Sequence, residues 1–223
     1  HAEYVVVSEN LCSRIDENTD IKEAAFTVLG SIALHGLRLS ETTLGSKVVV
    51  IGLGVIGQLV CRLAEAQGSE VTGIDPDPER SKYGDNFFTS ADDIQLKDVD
   101  TVIITAATSS NEPIELATKI ARNKAKIVVV GDIPLNISRN DFYYKELELV
   151  VSKSYGPGRY DKQYEALGND YPIEYVRWTE NRNFEAFTKL LSQKQIHLLD
   201  LVSEEIAFED APSVYEKFED EIK

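Results

Sequence analysis

The 223-residue chain has little of several features that mark whole classes of protein. Its two cysteines, Cys12 and Cys61, lie far apart, which predicts a reducing, cytoplasmic compartment and no disulfide framework. No apolar run approaches the roughly 18 residues of a membrane span, and nothing near the start resembles an export signal. Basic residues are outnumbered, 23 against 38 acidic ones, and the net charge of -15 would repel nucleic acid and anionic lipid. We therefore expect no membrane and no nucleic-acid partner.

Methionine is absent altogether, although an average usage of about 2% would supply several in a chain of this length. The chain also opens on HAEYVVV, with no initiator methionine. We therefore expect the sequence to be a piece of a longer protein from which methionines were omitted. The parent sequence tests this expectation, because a parent without methionine would contradict it.

Short β-branched runs that alternate with helical segments make up most of the chain after Gly45. The runs cover residues 48–51, 71–74, 101–106, 127–130 and 147–151, with a further short strand expected at 87–88. Such alternation is typical of a parallel sheet with helices on both faces. A chain of this length with 43% hydrophobic residues can form one large domain plus fragments of another. The sequence therefore predicts an α/β fold with a doubly wound parallel sheet.

Other segments are predicted from local patterns. They are a strand at residues 3–8, a helix at 21–39, an irregular stretch at 155–183, a helix at 184–191, a strand near Ile206 and a helix at 210–218. The connection from Asp75 to Phe87 has the minimum length for a crossover between parallel strands. The helix in this connection is therefore expected to be very short, unless residues are missing there.

A glycine motif joins the first run to the helix that follows it. In VVVIGLGVIG, the spacing of Gly52, Gly54 and Gly57 is typical of a turn that binds a pyrophosphate. The first glycine permits the sharp turn, the second lets the ligand approach the backbone, and the third lets the helix lie against the strand. The amides of Val55 and Ile56, at the positive end of the helix dipole, would then face the phosphates.

An acidic residue follows at the position where a dinucleotide site needs one. Asp75 ends the second run, eighteen residues beyond Gly57, where a carboxylate accepts hydrogen bonds from the adenosine ribose and repels a 2′-phosphate. NAD is therefore predicted in preference to NADP, although Arg80 could shield a 2′-phosphate. Two alternatives stay open: a Rossmann-like unit that binds no dinucleotide, and a methyltransferase that binds adenosylmethionine.

Loops after the later strands are expected to complete the cofactor site, because open α/β sheets bind ligands at the carboxyl ends of their strands. The residues concerned are Thr105, Ala106, Gly131, Asp132 and Ser154. The stretch 155–183 then adds six aromatic residues and three arginines, which suit a sugar ring and a phosphate. Tyr155 and Arg159 are the predicted substrate contacts. Ordinary loop packing is the alternative for all of these residues.

The order of these elements resembles the medium-chain dehydrogenase/reductase family, the relatives of zinc-type alcohol dehydrogenases. The resemblance is carried by EAAFTVLGSIALHGL, by LGSKVVVIGLGVIGQLVCRLAEAQGSEVTGID, and by the later pieces KELELVVSKSY and LVSEEIAFEDAPSVYEKF. It implies a Rossmann domain at 41–155 between remnants of a GroES-like catalytic domain at 1–40 and 156–223. It also implies an NAD(P)-dependent dehydrogenase or reductase, in which Rossmann edge strands can pair two subunits into a homodimer.

A narrower resemblance comes from HAEYVVVSENLCSRI and SYGPGRYD…YPIEYVRWTENRN. These segments are similar to bi-domain oxidoreductases of bacterial polysaccharide and sugar-nucleotide gene clusters, in which a half like the glucose-fructose oxidoreductases follows. The resemblance implies a sugar or sugar-nucleotide substrate and a C-terminal domain beyond this chain.

The sequence departs from the zinc enzymes of that family. Where they draw a catalytic cysteine ligand, residues 27–29 read Thr-Val-Leu, and the structural-zinc cysteine cluster is missing. No tyrosine is followed by a lysine four residues later, which excludes the Tyr-x-x-x-Lys pair of short-chain dehydrogenases.

We therefore predict a zinc-independent oxidoreductase that transfers a hydride to or from a sugar hydroxyl or carbonyl. Its catalytic residue is not identified, and the excised portion should be inactive alone. The alternative is a dinucleotide-binding module with a structural or regulatory role and no turnover.

Overall fold

The computed structural model describes residues 4–81, 84–93 and 95–215. At its centre lies a six-stranded sheet with strand order β3-β2-β1-β4-β5-β6, in which every neighbouring pair is parallel. The strands are β1 Lys47–Ile51, β2 Glu70–Ile74, β3 Phe87–Phe88, β4 Val99–Ile104, β5 Ala121–Val129 and β6 Glu148–Val151.

Helices connect the strands, and further helices precede β1 and follow β6 in the chain. They are α1 Ile21–Ala24, α2 Thr27–Ser40, α3 Val55–Ala66, α4 Pro78–Ser81, α5 Glu112–Ile120, α6 Arg139–Lys145, α7 Lys162–Glu165 and α8 Glu180–Ser192. Short 3₁₀ turns lie at Glu9–Leu11, Ala91–Asp93, Leu199–Leu201 and Phe208–Asp210. None of the helices in the described ranges is both long and apolar enough to cross a membrane.

The four central strands, β1, β2, β4 and β5, bury side chains on both of their faces. In β1, Val48 and Val50 pack with α2, α3 and α8, whereas Val49 and Ile51 pack on the opposite face with α5. This follows from the two-residue repeat of a strand, since successive side chains point to opposite sides. The result is a parallel sheet between two hydrophobic cores, which confirms the predicted doubly wound α/β fold.

The strand order reverses between β1 and β4. From β1 the chain proceeds outward through β2 to β3, and it then returns to add β4, β5 and β6 on the other side. In open α/β sheets the two connections leave such a switch point in opposite directions, and a ligand crevice lies there, at the carboxyl ends of the two strands, here β1 and β4. The crevice is bordered by the residues that follow Ile51 and Ile104.

Two predictions for the N-terminal part were wrong. Residues 4–8 form no strand, and Val5 and Val6 are exposed, because no strand in the described ranges lies beside them. The predicted helix at 21–39 is two helices, broken before Thr27. There the Thr27 hydroxyl donates a 2.6 Å hydrogen bond to the Ala24 carbonyl, which competes with the helical backbone bond at that oxygen.

Predictions for the other connections have mixed outcomes. The strand expected near Ile206 is absent from the described residues, and residues 202–207 have no regular structure. Residues 211–215 are helical, and the rest of the helix predicted to end at 218 lies outside the described residues. Among its described residues, the crossover between β2 and β3 contains only the four-residue α4, in agreement with the very short helix expected there. The last long helix begins at Glu180, earlier than predicted, because the Thr179 side chain caps it.

Candidate functional site

The chain turns sharply where β1 ends, and Gly52 makes this turn possible. Gly52 has a φ of +98°, a left-handed conformation that favours glycine. A Cβ atom there would lie 2.5 Å from the backbone nitrogen of Ala106. The Thr105 hydroxyl donates a 2.6 Å hydrogen bond to the Gly52 carbonyl. The residues after β4 therefore stabilise the turn.

The other two glycines of the motif have different surroundings. A Cβ on Gly57 would lie 1.9 Å from the Gly52 carbonyl oxygen, so this glycine lets α3 rest directly on the turn. A Cβ on Gly54 would meet no atom within 4 Å, although its φ of -64° would accept any residue. Of the three glycines, Gly54 alone therefore faces open space, as close approach of a ligand to the backbone requires.

Helix α3 begins at this open position. Gly54 is its N-cap, and the first helical hydrogen bond runs from the Gln58 amide to the Gly54 carbonyl. The amides of Val55 and Ile56 precede that bond and are among the helix-start donors that lack a partner within the helix. Val55 is exposed, whereas the Ile56 side chain packs against the core. An anion in front of Gly54 would thus meet amides that have no backbone partner among the described residues, at the positive end of the helix dipole.

Asp75 lies beside the glycine turn, at the end of β2. One carboxylate oxygen accepts a 2.7 Å hydrogen bond from the Leu53 amide, and the other accepts a 2.9 Å bond from the Asp77 amide. The side chain is only 4% exposed. These bonds fix the carboxylate on the glycine loop, and a carboxylate has about four lone-pair sites, so it can accept further donors. The structure therefore brings Asp75 and the three glycines together.

Arg80 is the cation nearest to this carboxylate among the described contacts. Its guanidinium lies 3.4 Å from Asp75 and 3.4 Å from Asp77, and about half of the side chain is exposed. Arg80 is thus placed at the outer rim of the predicted ribose position.

Gln58, a buried polar residue within the apolar face of α3, was not predicted from the sequence as a site residue. Its amide nitrogen donates to the carbonyls of Leu53 at 3.4 Å and Arg80 at 3.0 Å. Gln58 therefore ties the glycine loop to α4. The signal in the sequence was a glutamine among the apolar residues of this helix.

The loops after β4 and β5 pack tightly against each other. A Cβ on Gly131 would lie 2.1 Å from the Ala106 carbonyl oxygen, so Gly131 allows close packing at the crevice floor. Asp132 is exposed, and its backbone carbonyl accepts a hydrogen bond from the Thr108 amide. Ala106, Gly131 and Asp132 thus border the crevice, in agreement with the strand order. Ser154, with φ +48°, follows β6, which lies three strands from β1.

Tyr155 and Arg159 lie together in the loop after β6. The Tyr155 ring packs against Phe184, with centroids 5.6 Å apart, and the Arg159 guanidinium lies 5.1 Å from the Tyr155 ring centre. Arg159 also forms a 2.7 Å ion pair with Glu165. The structure therefore joins the two predicted substrate contacts to each other, but it gives Arg159 a carboxylate partner from its own loop.

A buried acid, Glu180, lies near this pair. It is 1% exposed and begins α8, and one of its carboxylate oxygens has no hydrogen-bond partner among the described residues. Burial, reinforced by the Glu165 charge, raises the pKa of Glu180 to about 7, and the Arg159 charge opposes that rise. The sequence analysis did not single out Glu180, since a glutamate at a helix start is usually exposed.

Metal ligands do not cluster in the described part of the chain. No group of three or more His, Cys, Asp or Glu side chains with metal-binding geometry occurs in these ranges. His35 instead lies half-buried near Gly156, and burial followed by the Arg38 charge lowers the pKa of His35.

The sheet order, the open glycine turn and the anchored carboxylate together define a dinucleotide-binding Rossmann domain. Residues 19–141 match the family model described as "D-isomer specific 2-hydroxyacid dehydrogenase, NAD binding domain". Because this match covers more than half of the 223 residues, the chain belongs to that family of NAD-binding domains.

Curated relatives of the chain are named as dehydrogenases and reductases. The chain is 26% identical over 178 residues to 2-dehydro-3-deoxy-L-galactonate 5-dehydrogenase of Pseudoalteromonas atlantica, covering 73% of this chain and 49% of the relative. It is 33% identical over 91 residues to D-xylulose reductase A of Aspergillus oryzae, covering 40% of this chain and 25% of the relative. The chain thus spans half or less of the length of these curated relatives.

Solved structures show the same fold. Galactitol-1-phosphate dehydrogenase from Escherichia coli aligns with a TM-score of 0.70 at 22% identity, over 91% of this chain and 58% of that one. The relatives and this fold confirm the predicted resemblance to the medium-chain dehydrogenase/reductase family.

Proposed function

We propose that the chain is the cofactor-binding portion of an NAD(P)-dependent, zinc-independent oxidoreductase that acts on a sugar or sugar nucleotide. The observation that carries this proposal is the open space at Gly54, the N-cap of α3, next to Leu53, whose amide donates to the Asp75 carboxylate. A Cβ would fill that space, and nothing in the surrounding fold needs it empty. A nicotinamide dinucleotide would supply the hydride acceptor or donor of the reaction.

The residues of this chain would bind and orient that cofactor. The proposed contacts are Gly52, Gly54, Val55, Ile56, Gly57, Asp75, Arg80, Thr105, Ala106, Gly131, Asp132 and Ser154. The pyrophosphate would accept hydrogen bonds from the first α3 amides, and the adenosine ribose would donate to Asp75. Thr105, Gly131 and Ser154 follow successive strands and would direct the nicotinamide half along the crevice.

NAD is the preferred cofactor in this proposal. The Asp75 carboxylate would repel the 2′-phosphate of NADP, and its hydrogen bonds to the Leu53 and Asp77 amides prevent it from turning away. Arg80 carries the opposite charge but is shared between Asp75 and Asp77, which reduces what it can offer a phosphate.

The substrate class is inferred from the relatives and from the loop after β6. The relatives act on a sugar acid and a sugar, as their names state. Tyr155 would offer an aromatic face, and Arg159 a guanidinium, at the end of the crevice. Zinc is excluded from the proposal because Thr27, Val28 and Leu29 occupy the stretch from which zinc relatives draw a cysteine.

The chain would be one portion of a larger protein. Its bulk would comprise the rest of the GroES-like domain and a C-terminal half like the glucose-fructose oxidoreductases. The edge strand β6 would pair two subunits into a homodimer. The 223-residue portion should then bind cofactor and show little turnover.

Substitution of two glycines tests the cofactor site. Gly54→Ala should keep the fold, because its Cβ meets nothing, but should weaken NADH binding by about tenfold or more by obstructing the pyrophosphate. Gly57→Ala should instead lower the thermal unfolding temperature, because its Cβ collides with the Gly52 carbonyl. NADH fluorescence titration and circular dichroism melting measure the two effects. Unchanged NADH affinity in a folded Gly54→Ala protein would refute the proposed cradle.

Turnover requires the full-length protein. Oxidation of NADH with a panel of sugars, sugar acids and sugar nucleotides should identify a substrate. Binding of NADH without turnover across the panel would favour a dinucleotide-binding module over an enzyme.

A further inference from the structure

Gln58 is a polar side chain on the buried face of α3. It is 2% exposed and follows Gly57 directly, whereas the other buried side chains of this helix are apolar. Its amide nitrogen donates to the carbonyl oxygens of Leu53, at 3.4 Å, and Arg80, at 3.0 Å. Because both carbonyls only accept hydrogen bonds, the NH₂ group of the glutamine rather than its oxygen must face them.

The side-chain oxygen of Gln58 is buried and has no hydrogen-bond partner among the described residues. Burying an unpaired acceptor costs free energy, and a methionine of similar length would pack there without that cost. Packing alone therefore does not explain the glutamine. What it contributes, and an apolar residue would not, are the two bonds that its amide nitrogen donates.

The bond to Arg80 holds α4, a helix of only four residues. A helix this short is not stable by itself, so its position depends on contacts with its neighbours. Within the segment, carboxylates of Asp75 and Asp77 accept hydrogen bonds from the backbone amides two residues later. Gln58 links the segment to α3, and it does so through the carbonyl of Arg80, the residue that carries the positive charge at the predicted ribose position.

The guanidinium of Arg80 is shared between two carboxylates. It lies 3.4 Å from Asp75 and 3.4 Å from Asp77, while about half of the arginine side chain stays exposed. Because Gln58 fixes the backbone of Arg80, the guanidinium keeps both acidic neighbours within ion-pair distance. A 2′-phosphate needs a cation that it can bind, and the charge of this one is already neutralised.

We propose that Gln58 determines the cofactor preference as a positioning residue: it holds the Arg80 guanidinium beside two carboxylates and so keeps it from the 2′-phosphate of NADP. This inference rests on the proposed function and adds a residue that contacts neither ribose nor phosphate. Release of α4 would let Arg80 turn outward and form charge-assisted hydrogen bonds to that phosphate. The NADH contact at Asp75 would remain, because the Leu53 and Asp77 amides hold that carboxylate.

Gln58→Met tests the proposal, because methionine has a similar length and donates no hydrogen bond. Fluorescence titration measures the Kd for NADH and the Kd for NADPH. The wild type should bind NADH more tightly. In Gln58→Met the ratio of the Kd for NADPH to the Kd for NADH should fall about tenfold, the usual effect of one charge-assisted hydrogen bond. An unchanged ratio in the folded variant would overturn the inference.

A double substitution shows whether Gln58 acts through Arg80. In an Arg80→Ala protein, adding Gln58→Met should leave the ratio unchanged, because no guanidinium remains to be released. The matched control is Gln67→Met, which removes a donor to the Thr42 carbonyl at the other end of α3 and should leave the ratio at the wild-type value. An equal fall of the ratio with and without Arg80 would contradict the proposed route.

Hydrogen exchange followed by mass spectrometry measures the same link without cofactor. The amides of Asp77, Glu79 and Arg80 are hydrogen-bonded in the wild type and should exchange about tenfold faster in Gln58→Met. Gln58→Asn has an amide one methylene too short to reach both carbonyls. It should lower the Kd ratio as well, and it takes the place of Gln58→Met if that variant does not fold. Unchanged exchange in a folded variant would show that Gln58 does not hold α4.

These outcomes separate the inference from the proposed function. A wild type that binds neither NADH nor NADPH would refute the cofactor site and this inference with it. A wild type that binds NADH, with the same preference in every Gln58 variant, would refute the inference alone. A wild type that prefers NADPH would also overturn it, because Arg80 would then already reach the 2′-phosphate.

Discussion

Replacing Glu180 with glutamine should change how the stability of the protein depends on pH. Glu180 is buried, and its pKa rises from 4.5 to about 7 on folding. Between these values the unfolded chain has ionised this carboxyl while the folded protein keeps it protonated. The folded state then binds more protons, so its stability falls as the pH rises. The contribution is complete below pH 4.5 and lost once the pH exceeds about 7.

The magnitude follows from the size of the shift. Each unit of pKa difference corresponds to about 1.4 kcal/mol, so Glu180 accounts for about 3 kcal/mol across the whole window. Glutamine has nearly the shape of the protonated acid and does not titrate. The free energy of unfolding of the wild type, relative to Glu180→Gln, should therefore fall by about 1.4 kcal/mol per pH unit between about pH 5 and 6.5.

Urea unfolding followed by circular dichroism, at half-unit steps of pH, measures both proteins. Glu165→Gln is the control of opposite sign, because the hydrogen bond from Arg159 lowers the pKa of Glu165. Its stability difference from the wild type should be present at neutral pH and shrink as the pH falls. Parallel stability curves for wild type and Glu180→Gln would show that the carboxyl is ionised in the fold, contrary to this reasoning.

Two further outcomes concern the core. Phe187→Ala should lower the free energy of unfolding by about 3–5 kcal/mol in urea titrations, because the ring is fully buried against Gly30 and leaves a cavity there. A loss below about 1 kcal/mol would mean that α2 and α8 do not pack as described. A thiol reagent should label exposed Cys12 quickly and leave Cys61 unlabelled until unfolding, since Cys61 is buried and burial raises the pKa of its thiol. Equal labelling rates for both cysteines would contradict this.

The sheet and the glycine turn were predictable because their signals are local. Gly52, Gly54 and Gly57 fall within six consecutive residues, and the spacing to Asp75 is fixed by one helix and one strand. The structure adds that the three glycines differ in what they contact, since this depends on Thr105 and Ala106, which lie about fifty residues away in sequence.

The contact between Arg38 and the Trp178 ring was not predictable from sequence. Arg38 and Trp178 are separated by 140 residues, and only the packing of α2 against α8 brings them into contact. The 155–183 stretch was correctly singled out for its aromatic and basic residues. Which of its arginines lacks a carboxylate partner depends on the fold of the loop, as Arg159 and Arg182 show.

The glycine turn is held from two sides. The Thr105 hydroxyl binds the Gly52 carbonyl, and the Asp75 carboxylate binds the Leu53 amide. A turn already fixed in this way loses little conformational entropy when a nucleotide arrives, so most of the interaction free energy appears as affinity. Encounter with the ligand, rather than rearrangement of the turn, should then set the rate of association.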